Sequence, residues 1–201
     1  ASHAVAGIIL RRSFPHVPQL ERFWDASARI SALSGWLVQQ LGIPGITVDD
    51  ASTYGLFRDC GIPVLLGRFA DYRATLDKAN HDAVRNFIDV EADAWPTHHA
   101  MVGCVLAQSW WLPQEVCLAI RNHHDGGLLA ARGAGLPTSS RRLIATGQLA
   151  EHLVQRLLGL SLTQEWPKLG GACLQVLGLD EAQVDALSGD AGAALAAVAQ
   201  L

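Results

Sequence analysis

One stretch constrains the fold more than any other part of this 201-residue sequence, namely residues 97–125, THHAMVGCVLAQSWWLPQEVCLAIRNHHD. Thr97 is a candidate N-cap for a first helix of about three turns. Leu112-Pro113 stops that helix and starts a second, since proline is disfavoured inside a helix but suits its first position. Gly126-Gly127 is then expected to end the second helix. The stretch therefore predicts a helical hairpin with one tight corner.

A histidine pair stands at each end of this hairpin. When two helices fold back on each other, the start of the first lies beside the end of the second. We therefore expect His98 and His99 to come close to His123 and His124. The open end of the hairpin is then a working metal site, the remnant of one, or a group of packed polar residues, and spacing alone does not choose between these alternatives.

Helical periodicity also runs through the sequence before the hairpin. Residues 17–41 place apolar side chains on one helical face, and a glycine and a proline follow as terminators. Asp49-Asp50 is a candidate N-cap for the next helix. Residues 71–89 form a more polar helical segment with a break around residues 80–82. This half of the chain is expected to be helical.

After the hairpin, residues 125–140 are predicted to be a Gly-rich connection, without the preceding strand that a phosphate-binding loop needs. Ser139 or Ser140 is expected to cap the helix that follows. The sequence around Trp166-Pro167 predicts no definite element. A last helix is expected to start at Asp180, which stands in capping-box spacing with Gln183.

No β-alternation or internal repeat interrupts this pattern, so we predict an all-α helical bundle that forms a single domain over residues 1–201. The formal net charge of -4 disfavours direct nucleic-acid binding. No apolar run approaches the ~20 residues that span a bilayer, so a soluble protein is expected. The four cysteines contain no CxxC pair, which is typical of buried thiols in the reducing cytoplasm.

The composition is apolar for a lone soluble domain, with 50% hydrophobic and 17% charged residues, where about 25% charged is usual. Part of the surface is therefore expected to be covered by another segment or protein. A compact, helix-rich domain from an alanine- and leucine-rich proteome would have the same composition. We expect the chain to be the C-terminal part of a longer regulatory protein.

Several short motifs in a fixed order resemble the HDOD domain, a relative of the HD phosphohydrolases found in bacterial signalling proteins. The motifs are FWDAS (23–27), YGLFRDCG (54–61), THHAMVG (97–103), WWLP (110–113) and AIRNHHD (119–125). The resemblance covers residues 14–159 and implies an all-helical, HD-like fold. It also implies a helical section upstream of the first residue of this chain.

The departures from the HD hydrolases concern their metal ligands. The His-Asp pair of those enzymes falls on Arg58-Asp59, so a permanent cation replaces the histidine and opposes metal binding. An earlier ligand histidine aligns with Ala26, and a late ligand aspartate aligns near Thr146-Gly147. A metal pair needs its complete set of ligands, so these losses predict that no catalytic pair binds.

The residues that survive from the HD pattern are Asp59, His99 and the pair His123-His124, with His98 as an extra neighbour. Three interpretations remain open for this remnant pocket. In the first, Arg58 takes the place of the metal charge and the neutral histidines are hydrogen-bonded in a polar core. In the second, the pocket binds an anion or a nucleotide phosphate. In the third, a single metal persists and hydrolyses a phosphoester.

From these departures we predict no catalytic residue, no cofactor and no metal site. The expected function is that of a non-catalytic signalling module, cytoplasmic and bacterial, which acts through a protein partner or an attached domain, as in a response regulator of a two-component system. No membrane contact is expected, and a homodimer is left open. The alternative is a metal-dependent HD-type phosphohydrolase that acts on a nucleotide or a cyclic dinucleotide.

Overall fold

The computed structural model describes residues 20–131 and 135–198, and every regular element in these ranges is a helix. The all-α prediction is thereby confirmed. Residues 17–19 of the first predicted helix and residues 132–134 of the Gly-rich connection lie outside the described ranges. In chain order the helices are α1 (Leu20–Leu41), α2 (Val48–Phe57), α3 (Gly61–Arg68), α4 (Tyr72–His81), α5 (Phe87–Ala92), α6 (His99–Ser109), α7 (Gln114–Asn122), α8 (Gly126–Ala130), α9 (Thr138–Leu158), α10 (Glu165–Leu177) and α11 (Glu181–Val198).

The predicted hairpin is formed by α6 and α7, which pack against each other. The N-cap of α6 is His98, one residue later than the predicted Thr97. The Nδ1 atom of His98 accepts a hydrogen bond from the backbone N–H of Met101 at 3.3 Å. Pro113 stands directly before α7, so the proline marks the corner as predicted.

The prediction that Gly126 and Gly127 end the second helix of the hairpin is wrong. Helix α7 already ends at Asn122. The glycines instead begin α8, because the carboxylate of Asp125 caps this short helix and accepts a hydrogen bond from the backbone N–H of Leu128 at 2.9 Å. The pair His123-His124 therefore lies in the turn between two helices.

Other helix boundaries also differ from the prediction. Thr47 is the N-cap of α2, and Asp50, the third residue of the helix, completes a capping box with it. Helix α9 begins at Thr138, so Ser140 is a helical residue, and its hydroxyl donates to the carbonyl oxygen of Glu115 at 2.9 Å. Helix α10 occupies a stretch for which no element was predicted. A side-chain cap thus sets the start of α2, whereas Pro137 before α9 and Gln164 before α10 make no side-chain capping hydrogen bond.

Helix α9 organises the core, since it packs against α1, α2, α7, α8, α10 and α11. Leu143 and Ile144 belong to one buried apolar cluster, and Leu149 and Leu153 belong to a second. All four side chains are almost completely buried. Burial of each contributes about 1.5–3 kcal/mol, so α9 joins the two clusters into one core.

Helix α3 begins so close to α6 that only glycine fits at its first residue. A β-carbon on Gly61 would lie 2.1 Å from the carbonyl oxygen of His99 and 2.8 Å from the backbone nitrogen of Gly103. This contact brings the turn between α2 and α3 to the first turn of α6. Arg58 and Asp59 are in that turn, so the contact positions both residues beside His99.

Two predictions from composition concern the whole chain. The cysteines Cys60, Cys104, Cys117 and Cys173 are buried free thiols, as expected. Among the described helices, we find none with the length and apolar character that crossing a bilayer requires.

Candidate functional site

Four predicted pocket residues come together where α6 begins and α7 ends. Asp59, His99, His123 and His124 each direct one ligand atom to a common point, and these atoms all lie within 4.8 Å of one another. The Nε2 atom of His99 is 3.3 Å from that of His123 and 3.1 Å from that of His124. The Oδ1 atom of Asp59 is 3.3 Å from the Nε2 atom of His123 and 3.6 Å from that of His99. We call these four residues the His-Asp cluster.

The other ring nitrogen of each histidine in the His-Asp cluster contacts an oxygen acceptor. The Nδ1 atom of His99 lies 2.7 Å from Glu91, and that of His124 lies 2.5 Å from Glu165. The Nδ1 atom of His123 lies 2.7 Å from the carbonyl oxygen of Ile120. In the neutral rings these contacts place the proton on Nδ1 and leave a lone pair on Nε2. The three lone pairs then face one another.

The two carboxylates behind the histidines are themselves buried and held in place. Glu91 accepts a hydrogen bond from the hydroxyl of Tyr72 and a second from the backbone N–H of His99 at 3.1 Å. Glu165 forms an ion pair with Lys168, with the Oε1 and Nζ atoms 2.5 Å apart. Carboxylate–histidine pairs of this kind fix ring orientation and raise the basicity of the free nitrogen.

Arg58 lies beside the His-Asp cluster, and its side chain is 3% exposed. Its Nε atom is 3.2 Å from the Oδ2 atom of Asp59, and its Nη2 atom is 3.0 Å from Glu151. The Nη1 atom donates to the carbonyl oxygen of Gly147 at 3.2 Å. The guanidinium group is thus fixed between α9 and the turn that carries Asp59.

The charges around the cluster shift the pKa values of its members. Burial tends to raise the pKa of Asp59, but the adjacent guanidinium of Arg58 outweighs it, and, with His123 and His99 also lowering it, holds the pKa well below its usual range. Burial lowers the pKa of His124 well below its usual value, and His123 and His99 lower it further. For His99, burial lowers the pKa but Glu91 more than offsets this, so the pKa is raised. Asp59 is therefore an anion and His124 a neutral base near pH 7.

The sequence profile of the HDOD domain matches residues 1–126. The chain belongs to the HDOD domain family. The matched segment contains Arg58 and all four residues of the His-Asp cluster. It ends before α9 and α10, which supply Glu151 and Glu165. A comparison with curated proteins gives no significant match.

Two solved structures resemble this HDOD chain. An HDOD domain protein of unknown function from Geobacter sulfurreducens matches with a TM-score of 0.65 and 20% identity, over 94% of this chain and 65% of the other. The MmoQ response regulator from Methylococcus capsulatus matches with a TM-score of 0.56 and 21% identity, over 85% of this chain and 61% of the other. The chain thus spans less than two thirds of the length of either protein, and the likeness shows a shared fold.

The structure places most of the predicted HDOD pocket residues around one cavity of about 230 Å³. Ala26, Arg58, Asp59, His99 and His124 line this cavity. Two residues at lost ligand positions, Ala26 and Arg58, therefore share a pocket with three surviving ones. His123 is buried behind them and reaches the cluster through its Nε2 atom.

His98 and Gly147 are placed differently. His98 caps α6 through its ring nitrogen and is not one of the four residues whose ligand atoms converge. Gly147 contributes only its carbonyl oxygen, and a β-carbon there would lie 2.5 Å from the ring of Tyr54. A ligand side chain therefore has no room at residue 147.

Three acidic residues that support the pocket were not predicted from the sequence, namely Glu91, Glu151 and Glu165. All three are at most 2% exposed. One weak signal was present, since Glu165 and Lys168 have the spacing of an ion pair within a helix. Glu91 precedes α6, and its contact with His99 depends on the packing of α5, which spacing does not reveal.

Proposed function

We propose that this HDOD chain is a non-catalytic output or regulatory domain of a cytoplasmic bacterial signalling protein. It would act through contacts with an attached domain or a partner protein, in a polypeptide of the response-regulator type. Membership of the HDOD family and the fold shared with a response regulator support this proposal. The observation that carries it is the buried position of Arg58.

Arg58 argues against a pair of catalytic metal ions. Hydrolysis by two metals requires ions about 3.5–4 Å apart that stabilise the attacking and leaving oxygens. Arg58 directs a permanent positive charge into the cavity beside Asp59 and is held there by Glu151 and the carbonyl oxygen of Gly147. A second metal ion would meet this cation at close range, and Ala26 offers no ligand atom to hold it.

Turnover by metal-loaded protein tests the proposal. We expect purified protein supplied with Mn²⁺, Fe²⁺ or Ni²⁺ to hydrolyse neither bis(p-nitrophenyl) phosphate nor cyclic dinucleotides above the rate of buffer. Asp59→Asn, which removes the charge but keeps the shape, should give the same background. Turnover that is present in the natural chain and lost in Asp59→Asn would overturn the proposal.

A second candidate function is that of a phosphohydrolase with a single metal, acting on a nucleotide or a cyclic dinucleotide. One observation favours it, because the cavity of about 230 Å³ is lined by Asp59, His99 and His124 and by the cationic side chain of Arg58, whose positive charge would attract a phosphate. The same turnover assay separates the two functions.

A further inference from the structure

The spacing of the His-Asp cluster suits one metal ion. A first-row ion binds imidazole nitrogen at about 2.0–2.1 Å, so neighbouring ligand atoms lie about 3.4 Å apart in a tetrahedral site, and about 3.0 Å apart in an octahedral one. The four separations given above run from 3.1 to 3.6 Å. The remaining two pairs lie within 4.8 Å, so the four atoms surround one centre, and the wider pairs would move closer together when an ion binds.

The hydrogen bonds of the imidazoles support the same conclusion. When the three rings are neutral, each Nδ1 atom donates its proton to a fixed oxygen, on Glu91, Ile120 or Glu165. The Nε2 lone pairs of these neutral rings then point at one another, which is repulsive in a buried site unless a proton or another cation lies between them. A cation at the point of convergence removes that repulsion.

The charge balance of the pocket leaves room for a divalent cation. Four buried or nearly buried carboxylates lie in or around the cluster, namely Asp59, Glu91, Glu151 and Glu165, and among the described residues Arg58 and Lys168 are the permanent cations that pair with them. When the three histidines are neutral, as metal ligands must be, two negative charges remain. Uncompensated charge in a protein interior is costly, and a divalent ion would cancel it.

Arg58 does not block this position. It contacts the Oδ2 atom of Asp59, whereas the Oδ1 atom faces the histidines. Its own charge is shared between Asp59 and Glu151. The guanidinium group therefore excludes a second ion without taking the ligand oxygen of the first.

We propose that Asp59, His99, His123 and His124 bind one divalent transition-metal ion. Three imidazoles and one carboxylate suit Zn²⁺, Fe²⁺, Co²⁺ or Ni²⁺, whereas Mg²⁺ and Ca²⁺ prefer oxygen ligands alone. Glu91 and Glu165 are positioning residues, because they hold the rings of His99 and His124. The site departs from the sequence-based prediction that no metal binds, and it does not depend on whether the domain is catalytic.

The experiment uses protein stripped with a chelator and titrated with Zn²⁺ or Co²⁺ alone. We expect one ion per chain, a higher midpoint of thermal unfolding in the presence of the ion, and a visible absorption band with Co²⁺. Asp59→Asn and His124→Gln should each weaken binding by at least about 100-fold, since each removes a ligand. Glu165→Gln should weaken it by about 10- to 100-fold and leave the stoichiometry at one, as expected for a positioning residue.

The matched control is His98→Asn, which removes an adjacent imidazole but keeps a good N-cap for α6. It should bind the ion as the natural chain does. Circular dichroism of each stripped variant establishes that it is folded. The proposal is overturned if the folded, stripped protein takes up neither ion at micromolar concentration, if two ions bind per chain, or if His98→Asn loses as much affinity as His124→Gln.

A positive result leaves the proposed output function open to its own test. Binding of one ion without turnover supports both proposals. Binding with turnover supports the metal site and overturns the non-catalytic role.

Discussion

At the residue scale, Trp111 has a backbone conformation that favours glycine. It has a φ of 60° and is 92% exposed. The backbone around it forms a Schellman motif at the end of α6, in which Leu112 N–H donates to Ala107 and Trp111 N–H donates to Gln108, both at 3.0 Å. Glycine is the usual residue at this position because it adopts the left-handed conformation without strain.

Replacing this tryptophan by glycine should stabilise the fold. We expect Trp111→Gly to raise the free energy of unfolding by about 1 kcal/mol, since a left-handed L-residue costs about 1–2 kcal/mol and the exposed ring contributes little burial. Chemical denaturation at equilibrium measures the change. Trp111→Ala is the control, because it removes the ring but keeps the strained β-carbon, and it should show no comparable gain. Equal stability of the glycine and alanine variants would contradict the backbone explanation.

At the scale of elements, the approach of α3 to α6 determines whether the pocket can form. Gly61→Ala would place a β-carbon 2.1 Å from a backbone carbonyl oxygen of α6, and a backbone atom cannot give way as a side chain can. We expect this variant to lose about 3 kcal/mol or more of stability, at the upper end of overpacking effects. Denaturant unfolding monitored by circular dichroism gives the value.

Gly67 provides the matched control within the same helix. A β-carbon on Gly67 would meet nothing within 4 Å. Gly67→Ala should therefore be neutral or stabilising by up to about 1 kcal/mol, because alanine is the better helix former. If both alanine variants lose the same stability, the close contact of Gly61 with α6 is not the cause of the loss.

The same elements show which features of the fold and the pocket can be predicted from the sequence and which cannot. Pro113 and the two histidine pairs predicted the hairpin and its open end, because proline stops a helix whatever surrounds it. The roles of Gly126 and Glu165 were missed. Both depend on contacts, since Asp125 turns the glycines into a helix start and the packing of α10 brings Glu165 to His124. Local chemistry predicts where helices break, whereas the groups that complete a site depend on three-dimensional packing.

At the scale of the whole molecule, the two apolar clusters meet at Trp166, which packs against both. Its ring stacks on His152 of α9, with centroids 4.2 Å apart and an angle of 8° between the planes. The segment that matches the HDOD profile stops at residue 126, before either residue. The later helices therefore complete both the core and the supporting carboxylates of the pocket.

This junction makes the stability of the molecule sensitive to acid. The pKa of His152 falls from 6.5 to about 4, because burial and, to a smaller extent, Arg156 lower it, while Asp185 partly opposes the shift. Between these two values the unfolded chain binds a proton that the folded protein does not. The contribution of His152 to the free energy of unfolding is therefore fully present above pH 6.5 and is lost as the pH falls towards 4. The slope of this loss is at most about 1.4 kcal/mol per pH unit for one whole proton. Urea unfolding from pH 7 to pH 4 should show a steeper loss of stability for the natural chain than for His152→Gln, which is neutral throughout. Parallel curves for the two proteins would show that this histidine is not held neutral by the fold.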